Sequence, residues 1–482
     1  MKKLLCAVLA AVMLAGCSAA PAGTTPPESS AADSAAVRWQ LHKGGLEIFA
    51  PDGLAENAIA AEKMTDHTVV RISAPGTYTL SGKLDAGQIA VDLGEGAKDD
   101  PNAVVTLVLD GLDITCPSAP AVMFYNVWES DTPGGPAGAN VILADGSQNF
   151  VNGSHTEDYD GALYSRMSMT LGGTGALGIT ADNEGLCSER HLTVNSGDIT
   201  IASGNDGVNT NEDGVSVATV NGGHLRITVT GETGEGDGID SNGRLIINGG
   251  TLETFACADS GDFGLDADLG VQISGGTVIA TGNMPGRIDD GGQTHLVFTF
   301  AQRQAPGVYT LKNAAGEAVA ECTAENAFQY LILSTPELTA GNYTLWSGDT
   351  QFEGMAGLGG LVGPIEPIER PEFPGKGGGD VEIPPQPTNP VVTHGTVQQP
   401  VSGDRPADMP VAQFPADSQG RMPGGPVPQE GENMPMPQLP EGVTPPQGGF
   451  GREPVQVITG TMSTDFPVRE GANYFMNLRP AA

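Results

Sequence analysis

Acidic and amide side chains recur at three fixed offsets from a glycine in four successive segments of this chain. The segments are aligned on Gly185, Gly207, Gly238 and Gly264. The residue before the glycine is Glu184, Asp206, Asp237 or Phe263; the second residue after it is Cys187, Asn209, Asp240 or Asp266; the fourth is Glu189, Asn211, Asn242 or Asp268. Carboxylate and amide oxygens are ligands that Ca²⁺ takes in proteins, whereas zinc and copper sites draw on His and Cys. The pattern therefore predicts a calcium site.

The residue directly after each aligned glycine is apolar. These four residues are Leu186, Val208, Ile239 and Leu265. Alternation of apolar and polar residues is typical of a strand that buries one face, so the acidic and amide residues should point outward. Equivalent positions on stacked strands lie about 4.8 Å apart. Carboxylates at that spacing repel each other unless a cation neutralises them, and Ca²⁺ takes about six to eight oxygen ligands.

Other interpretations of the same residues need no metal. The acids can form a solvated edge, or Asp and Asn can hydrogen-bond to the backbone of their own turns. Stacked asparagines can also form a hydrogen-bonded ladder. The residues alone leave these alternatives open.

The elements that would position these side chains follow from a second repeat. A turn recurs, with alternating apolar residues on both sides of it, as Asn195-Ser196-Gly197, Asn221-Gly222-Gly223, Asn248-Gly249-Gly250 and Ser274-Gly275-Gly276. The first residues of these turns are 26, 27 and 26 positions apart. A fixed period of this length indicates stacked supersecondary units, because one unit cannot bury its apolar face alone. Strand, glycine turn, strand and loop in this order predict a parallel β-helix.

The domain organisation predicted from these patterns is all-β. A parallel β-helix over residues 37–290, clearest from about 66 to 285, precedes a small antiparallel β-module at 291–353. Residues 354–454 are rich in Pro and Gly without periodicity, which predicts disorder, and 455–482 contain a possible C-terminal strand. Residues 128–138 are expected to form a loop inserted between two repeats.

The N-terminus predicts export. Lys2 and Lys3 precede a short apolar stretch, and Leu14-Ala15-Gly16-Cys17 resembles a bacterial lipobox. Residues 1–17 are therefore interpreted as a lipoprotein signal peptide, Cys17 as the lipidation site and residues 18–36 as a flexible tether. The protein would be extracytoplasmic, anchored in the membrane through lipid on Cys17 at the bacterial cell surface. An ordinary secretory signal is the alternative.

Charge and cysteine content narrow the possible partners. The 482 residues carry 58 acidic and 22 basic side chains, a formal net charge of −36, which excludes nucleic acid as a partner.

Beyond the lipobox, the cysteines are Cys116, Cys187, Cys257 and Cys322. Their spacing does not resemble a zinc site, and it is compatible with disulfides or with buried thiols. The sequence does not define an oligomeric state.

Several motifs resemble those of a known group, the bacterial surface proteins with a calcium-binding, carbohydrate-binding right-handed β-helix domain. The resemblance covers roughly residues 66–350. The matching stretches are Gly76-Thr77-Tyr78-Thr79-Leu80-Ser81-Gly82, Val105-Thr106-Leu107-Val108-Leu109-Asp110-Gly111, Gly236-Asp237-Gly238-Ile239-Asp240-Ser241-Asn242, Leu245-Ile246-Ile247-Asn248-Gly249-Gly250-Thr251, and Ser334-Thr335-Pro336-Glu337-Leu338 with Gly341-Asn342-Tyr343-Thr344-Leu345.

This resemblance implies a non-catalytic module that binds plant-type polysaccharide, including acidic glycans such as polygalacturonate. It implies Ca²⁺ on the acidic side of the repeats, with ligands at Asp206, Asn209, Asp237, Asp240, Asp266 and Asp268. Glu184, Asn211 and Asn242 are further candidate ligands at the same offsets. The chain departs from the pattern at Phe263, where an acid is expected, and at Cys187, where a ligand-type residue is expected.

Three function classes are compatible with these residues. In a binding module, Ca²⁺ would reverse the local charge, Arg190 and Arg244 would contact glycan carboxylates, and Trp128 would stack on a sugar ring. Each of these three side chains also has an ordinary structural interpretation. A Ca²⁺-dependent polysaccharide lyase would need a strong base, for which Arg190 and Arg244 are the candidates. A structural adhesin without a ligand is the third class.

Overall fold

A computed structural model describes residues 37–357 and 461–481, apart from positions 44 and 56. The predictions for the signal peptide, Cys17, the tether and most of the Pro/Gly-rich segment lie outside the described residues. The described part is nearly all β, with one 3₁₀-helix, Glu95–Asp99, which confirms the all-β prediction. Its first strands are β1 (Val37–Gln40), β2 (Glu47–Ala50), β3 (Ile59–Lys63), β4 (Thr68–Ile72), β5 (Gly76–Leu84) and β6 (Gly87–Asp92).

The central region is a long run of short strands. They are β7 (Val105–Thr115), β8 (Val122–Asn126), β9 (Ala139–Leu143), β10 (Gln148–Gly153), β11 (Gly161–Ser165), β12 (Met169–Gly173), β13 (Ala176–Ala181), β14 (Glu184–Ser188), β15 (Leu192–Val194), β16 (Asp198–Ser203), β17 (Val208–Thr210), β18 (Val217–Val220), β19 (His224–Val229), β20 (Ile239–Ser241), β21 (Arg244–Ile247), β22 (Thr251–Phe255), β23 (Val271–Ile273) and β24 (Thr277–Gly282). The predicted glycine turns lie between β15 and β16, β18 and β19, β21 and β22, and β23 and β24.

These strands pair in parallel with strands one repeat away, in three ladders. Ladder 1 runs β7-β9-β12-β15-β18-β21-β23. Ladder 2 runs β5-β7-β10-β13-β16-β19-β22-β24. Ladder 3 runs β4-β6-β8-β11-β14-β17-β20. Each full repeat therefore contributes one strand to each ladder, as β15, β16 and β17 do.

Apolar side chains from all three ladders pack into one core. Val194 of ladder 1, Ile199 of ladder 2 and Val208 of ladder 3 are each at most 2% exposed and belong to the same cluster. Burying a side chain of this size stabilises the fold by about 1.5–3 kcal/mol, so stacking of repeats supplies what a single repeat lacks.

Asparagines stack on one another at the glycine turns. The Asn221 amide donates to Asn195 Oδ1 at 2.9 Å, and the Asn248 amide donates to Asn221 Oδ1 at 2.9 Å. The metal-free asparagine ladder that the sequence allowed is therefore present, but it lies at these turns rather than along the acidic residues.

An antiparallel module with its own core follows the ladders. Its strands are β25 (His295–Gln304), β26 (Gly307–Asn313), β27 (Ala318–Ala324), β28 (Phe328–Ser334), β29 (Gly341–Ser347), β30 (Thr350–Ala356), β31 (Phe466–Val468) and β32 (Ala472–Pro480). The last two strands return from the far side of the Pro/Gly-rich segment: β31 pairs with β29, and β32 pairs with β25 and β30. The core is rich in phenylalanine, including Phe298, Phe300 and Phe475.

Antiparallel strands cover the two ends of ladder 2. At the N-terminal end β2 pairs with β1 and lies antiparallel to β5, and at the C-terminal end β28 lies antiparallel to β24. A loop of the module also contacts ladder 2, where Asn326 donates to the carbonyls of Val229 and Ala256, each at 2.8 Å. Exposed strand edges invite pairing with other chains, and these contacts remove two of them. No helix among the described residues is long and apolar enough to cross a bilayer.

Substitution of a turn glycine should test the close stacking of the repeats. Gly223 has φ +81°, and a Cβ there would lie 2.5 Å from the Gly197 carbonyl oxygen of the preceding turn. Gly214 has a similar φ of +69° but open space around it. We expect Gly214→Ala to cost roughly 1–2 kcal/mol for the left-handed conformation. Gly223→Ala should cost about 1–3 kcal/mol more, because the backbone must shift. Urea unfolding measures both, and equal losses would contradict close stacking.

Candidate functional site

The acidic and amide residues lie along ladder 3 in the predicted register. Cys187 is paired with Asn209, and Asn209 with Asp240. A parallel bridge from Ile239 to Leu265 continues the ladder and brings Asp266 next in line. The apolar residues between the glycines and this row are buried in the core. The row therefore faces away from the core, one residue per repeat.

The residues before the glycines form a second row beside the first. The N–H of Gly185 donates to the Asp206 carbonyl, and the N–H of Gly207 donates to the Asp237 carbonyl, both at 3.0 Å. A side chain cannot replace these glycines easily, because a Cβ on Gly207 would lie 2.1 Å from Ile227 Cγ2. Close packing of ladder 2 against ladder 3 thus explains the glycine of the repeat.

Three carboxylates from these rows converge. Asp237, Asp240 and Asp266 each place one oxygen so that the three oxygens lie within 4.8 Å of one another, and all three residues are half-buried. Ca²⁺ binds oxygens at about 2.3–2.6 Å, so oxygens around a single ion lie at most about 5.2 Å apart. The three aspartates therefore fit one Ca²⁺ ion.

A second acidic group lies one repeat earlier. Glu184 and Asp206 are buried, and the Asn209 amide joins them by donating to Glu184 Oε1 at 3.0 Å and to Asp206 Oδ2 at 3.1 Å. Cys187 donates its thiol proton to Glu184 Oε2 at 2.9 Å. Asn209 Oδ1 is buried and has no hydrogen-bond partner in the described part of the chain. Buried amide oxygens are almost always satisfied, so an oxygen without a partner is suited to ligate a cation.

The electrostatic environment of the site opposes ionisation of its carboxyl groups. Burial raises the pKa of Asp237 to about 9, and the nearby carboxyl groups of Asp206 and Asp240 add to the increase. Burial likewise raises the pKa of Glu184, Asp206 and Asp240 to about 7. Neutral carboxyl groups at pH 7 are the response of such a cluster when no cation is bound.

The remaining candidate ligands lie at the margin of this cluster. Asp268 raises the pKa of Asp240, which places its charge nearby, but it does not belong to the converging group of three. Asn211 donates to the Tyr164 hydroxyl at 3.4 Å, and its own Oδ1 is buried without a partner in the described chain. Asn242 donates to the Asn211 carbonyl and to Asp213 Oδ1, both at 2.9 Å.

Arg190 is held by the inserted loop, which begins at Trp128. Arg190 pairs with Asp131 of the loop and with Glu212, its Nε lying 2.9 Å from Glu212 Oε2. Glu129, next to the half-buried Trp128, accepts hydrogen bonds from the backbone and hydroxyl of Ser168 at 2.6 and 2.8 Å. Carboxylates at the start of the loop thus fix it to later repeats, and Arg190 is one of its anchors.

Arg244 is also paired. Its Nη1 lies 2.6 Å from Asp289 Oδ2. The partners of both candidate arginines are distant in sequence, so no local pattern predicted them. Each guanidinium therefore already has at least one carboxylate partner.

Two features near the site were missed in the sequence. Asp262 accepts a hydrogen bond from the Gly236 N–H at 2.5 Å, one residue before the position where Phe263 interrupts the acidic row. Asp262 directly precedes Phe263 in the sequence, and this adjacency is the signal that could have identified it as an acidic residue of the site. Tyr125 and Tyr159 stack edge-on with ring centroids 5.7 Å apart, and both pack against a small outer cluster that includes Tyr164 and Cys187. The row that is acidic in later repeats contains Met123 and Tyr164 in earlier ones.

The four described cysteines are buried free thiols. Of the two interpretations of their spacing, disulfides or buried thiols, the structure therefore has the second.

The repeat region is similar to known carbohydrate-binding domain-containing proteins. Residues 66–299 match the model of a family described as carbohydrate-binding domain-containing protein. Over 141 residues the chain is 28% identical to a carbohydrate-binding domain-containing protein from Acetivibrio thermocellus. That alignment covers 27% of this chain and 44% of the relative, so the chain spans less than half of the relative's length. The predicted resemblance to carbohydrate-binding proteins is confirmed at this level.

A solved structure is more distantly similar. It is described as a polysaccharide lyase-like protein from C. thermocellum, in a gadolinium derivative, with 23% identity and a TM-score of 0.38. The match covers 49% of this chain and 89% of that chain. This similarity is too low to assign a fold or a function.

The raised pKa values predict an unusual pH dependence in the presence of a chelator. The unfolded chain loses these protons near pH 4, whereas folded Asp206, Asp237 and Asp240 keep them up to about pH 7–9. The folded state binds more protons over that range, so its stability should fall as pH rises from about 4 to 9. Asp237→Asn should make the slope of melting temperature against pH shallower. Asp110→Asn, at an exposed position on β7, removes the same charge and should leave the slope unchanged; equal slopes in all three proteins would contradict the prediction.

Proposed function

We propose that this chain is a cell-surface lipoprotein whose repeats form a right-handed parallel β-helix that binds acidic polysaccharide through Ca²⁺, without catalysis. The observation that carries the proposal is the convergence of Asp237, Asp240 and Asp266, with oxygens within 4.8 Å of one another, on a region that matches a carbohydrate-binding family model. Anchoring through Cys17 and an extracytoplasmic location are parts of the same proposal and derive from the N-terminal sequence.

The calcium site would be built from two groups of residues. Asp237, Asp240 and Asp266 supply converging carboxylates, and Asn209 with Asp206 and Glu184 supplies amide and carboxylate oxygens one repeat away. Asp268, Asn211 and Asn242 lie at the margin, where they would orient the inner ligands.

The negative charge of the chain makes a cation necessary for binding an acidic glycan. A chain with a formal net charge of −36 repels a polyanion such as polygalacturonate. Bound Ca²⁺ would neutralise the aspartates and offer coordination positions to sugar carboxylates. The half-buried placement of the three aspartates keeps the site accessible from solvent.

Binding is favoured over a lyase reaction by the state of the arginines. A lyase base must accept a proton beside a sugar carboxylate. The two candidates, Arg190 and Arg244, are held in ion pairs with Asp131, Glu212 and Asp289, so each is already occupied by an acidic partner. Incubation with polygalacturonate in Ca²⁺ should therefore give no unsaturated product absorbing in the near ultraviolet. Accumulation of that product would establish the lyase instead.

Substitution of two aspartates should remove the effect of calcium on stability. In excess chelator, Asp237→Asn with Asp240→Asn should be more stable than the unchanged protein at pH 8, because neither amide has to retain a proton or bear a buried charge at that pH. The unchanged protein should gain about 2.7 kcal/mol when free Ca²⁺ is about 100 times the Kd, whereas the variant should gain little. Calorimetric titration and thermal melting measure both effects.

The same variant should lose binding to glycan. Pull-down on immobilised polygalacturonate should retain the unchanged protein in Ca²⁺, release it in chelator, and fail to retain the double variant. Asp110→Asn is the matched control and should bind normally. If neither chelator nor the double substitution lowers retention, the calcium-bridged mechanism is overturned. If the unchanged protein is not retained at all, the result favours the adhesin without a ligand.

A further inference from the structure

An exposed aromatic ring lies on the outer face of ladder 2, away from the acidic rows of ladder 3. Phe150 of β10 is 49% exposed. Its partner in the next strand is Gly178, and a Cβ added there would lie 3.2 Å from Phe150 Cδ1. The ring of Phe150 therefore lies over Gly178 of the next repeat, in space that a side chain at position 178 would fill. A ring held in this way presents its surface to solvent.

The neighbours of this ring in the next repeat have small or uncharged side chains, whereas its partner in the preceding strand is Asp113 and the row of Ala176 continues to Asp198. In the next repeat Ala176, Gly178 and Thr180 pair with Gln148, Phe150 and Asn152, and in the following repeat Thr200 and Ala202 continue the rows. No large side chain interrupts the face over these two repeats. The result is a flat strip with hydroxyl and amide groups beside a single aromatic ring.

A groove adjoins the strip along the edge that carries Asn152 and Thr180. It has a volume of about 250 Å³. Its polar lining residues include Thr115, Asn152, Ser154, Thr180, Asp182 and Glu232. Hydroxyl, amide and carboxylate groups are donors and acceptors for sugar hydroxyls. No lysine or arginine lines the groove within the described residues, so it has no means of attracting an anion.

The module limits the strip at its C-terminal end. Glu325 pairs with Arg226 at 2.5 Å and accepts a hydrogen bond from the Thr228 hydroxyl at 2.6 Å. These two residues continue the rows of Thr200 and Ala202 into the next repeat. The open surface therefore runs from Phe150 and Asn152 to Thr200 and Ala202 and ends where the module begins.

We propose that Phe150 and this groove form a second glycan subsite, specific for an uncharged polysaccharide and independent of metal. Aromatic rings with neighbouring hydroxyl and amide groups match the apolar ring faces and equatorial hydroxyls of a neutral sugar, whereas Asp182 and Glu232 repel an acidic one. The subsite lies on a different ladder from the aspartate cluster, so one chain can contact a neutral and an acidic glycan at separate places. It relies on carbohydrate binding by the repeats but not on calcium.

Affinity electrophoresis of the folded chain, with chelator present, tests this subsite. The gels would contain galactomannan, arabinoxylan or xyloglucan. We expect retardation in at least one of them, kept by Phe150→Trp and by Asp237→Asn with Asp240→Asn. Phe150→Leu retains an apolar cover for Gly178 but lacks an aromatic face, and it should bind roughly two- to tenfold more weakly, since an aromatic contact contributes about 0.5–1.5 kcal/mol beyond burial.

A second substitution keeps the test valid if Phe150→Leu alters folding. Thr180→Arg at an exposed position should block the groove and abolish retardation, whereas Thr77→Arg at an exposed position on β5 should not. Thermal melting confirms that each variant is folded. The proposal is overturned if no neutral polysaccharide retards the unchanged protein, or if Phe150→Leu and Thr180→Arg are both retarded as strongly as it is. Because chelator is present throughout, neither result depends on the calcium site.

Discussion

Repulsion between stacked carboxyl groups is the constraint on which the functional face of this protein depends. Parallel pairing one repeat apart places Asp237, Asp240 and Asp266 with oxygens within 4.8 Å of one another. Water cannot screen the charges fully, because the residues are half-buried and Asp206 beside them is buried. Such a cluster either retains protons, as the raised pKa values indicate, or binds a cation. The stability that apolar packing gives to the repeats is what allows this unfavourable arrangement to persist.

Alternation along each strand separates the side chains that stabilise the fold from those that face outward. Inward residues such as Leu186, Val208 and Ile239 form a continuous core, and their outward neighbours are free to vary from one repeat to the next. Along ladder 3 the outward row changes from Tyr164 through Cys187 to Asp240 without any change in the backbone. Different repeats can therefore carry different chemistry on one scaffold.

Much of this arrangement could be predicted from the sequence because it is periodic. The two-residue alternation and the 26- to 27-residue spacing of the glycine turns predict which residues share ladders 1 and 2, and alignment on the unevenly spaced glycines predicts the pairing of Asn209 with Asp240 in ladder 3. The all-β class and the likeness to carbohydrate-binding proteins were predicted correctly. Contacts that follow no periodic pattern were not predicted. The pairing of Arg190 with Asp131 and of Arg244 with Asp289 crosses loops of irregular length, and β32 joins the module from more than 100 residues beyond β30.

The antiparallel strands at the two ends of ladder 2 have a consequence for how the molecule behaves with copies of itself. A stack of parallel strands has no intrinsic length, because the last strand offers the same hydrogen-bonding groups as every strand before it. The β1–β2 hairpin and β28 stop this growth with strands of the opposite direction. Removal of either one would leave an edge able to pair with a neighbouring chain, and removal of both would make the chain a building block of a fibre.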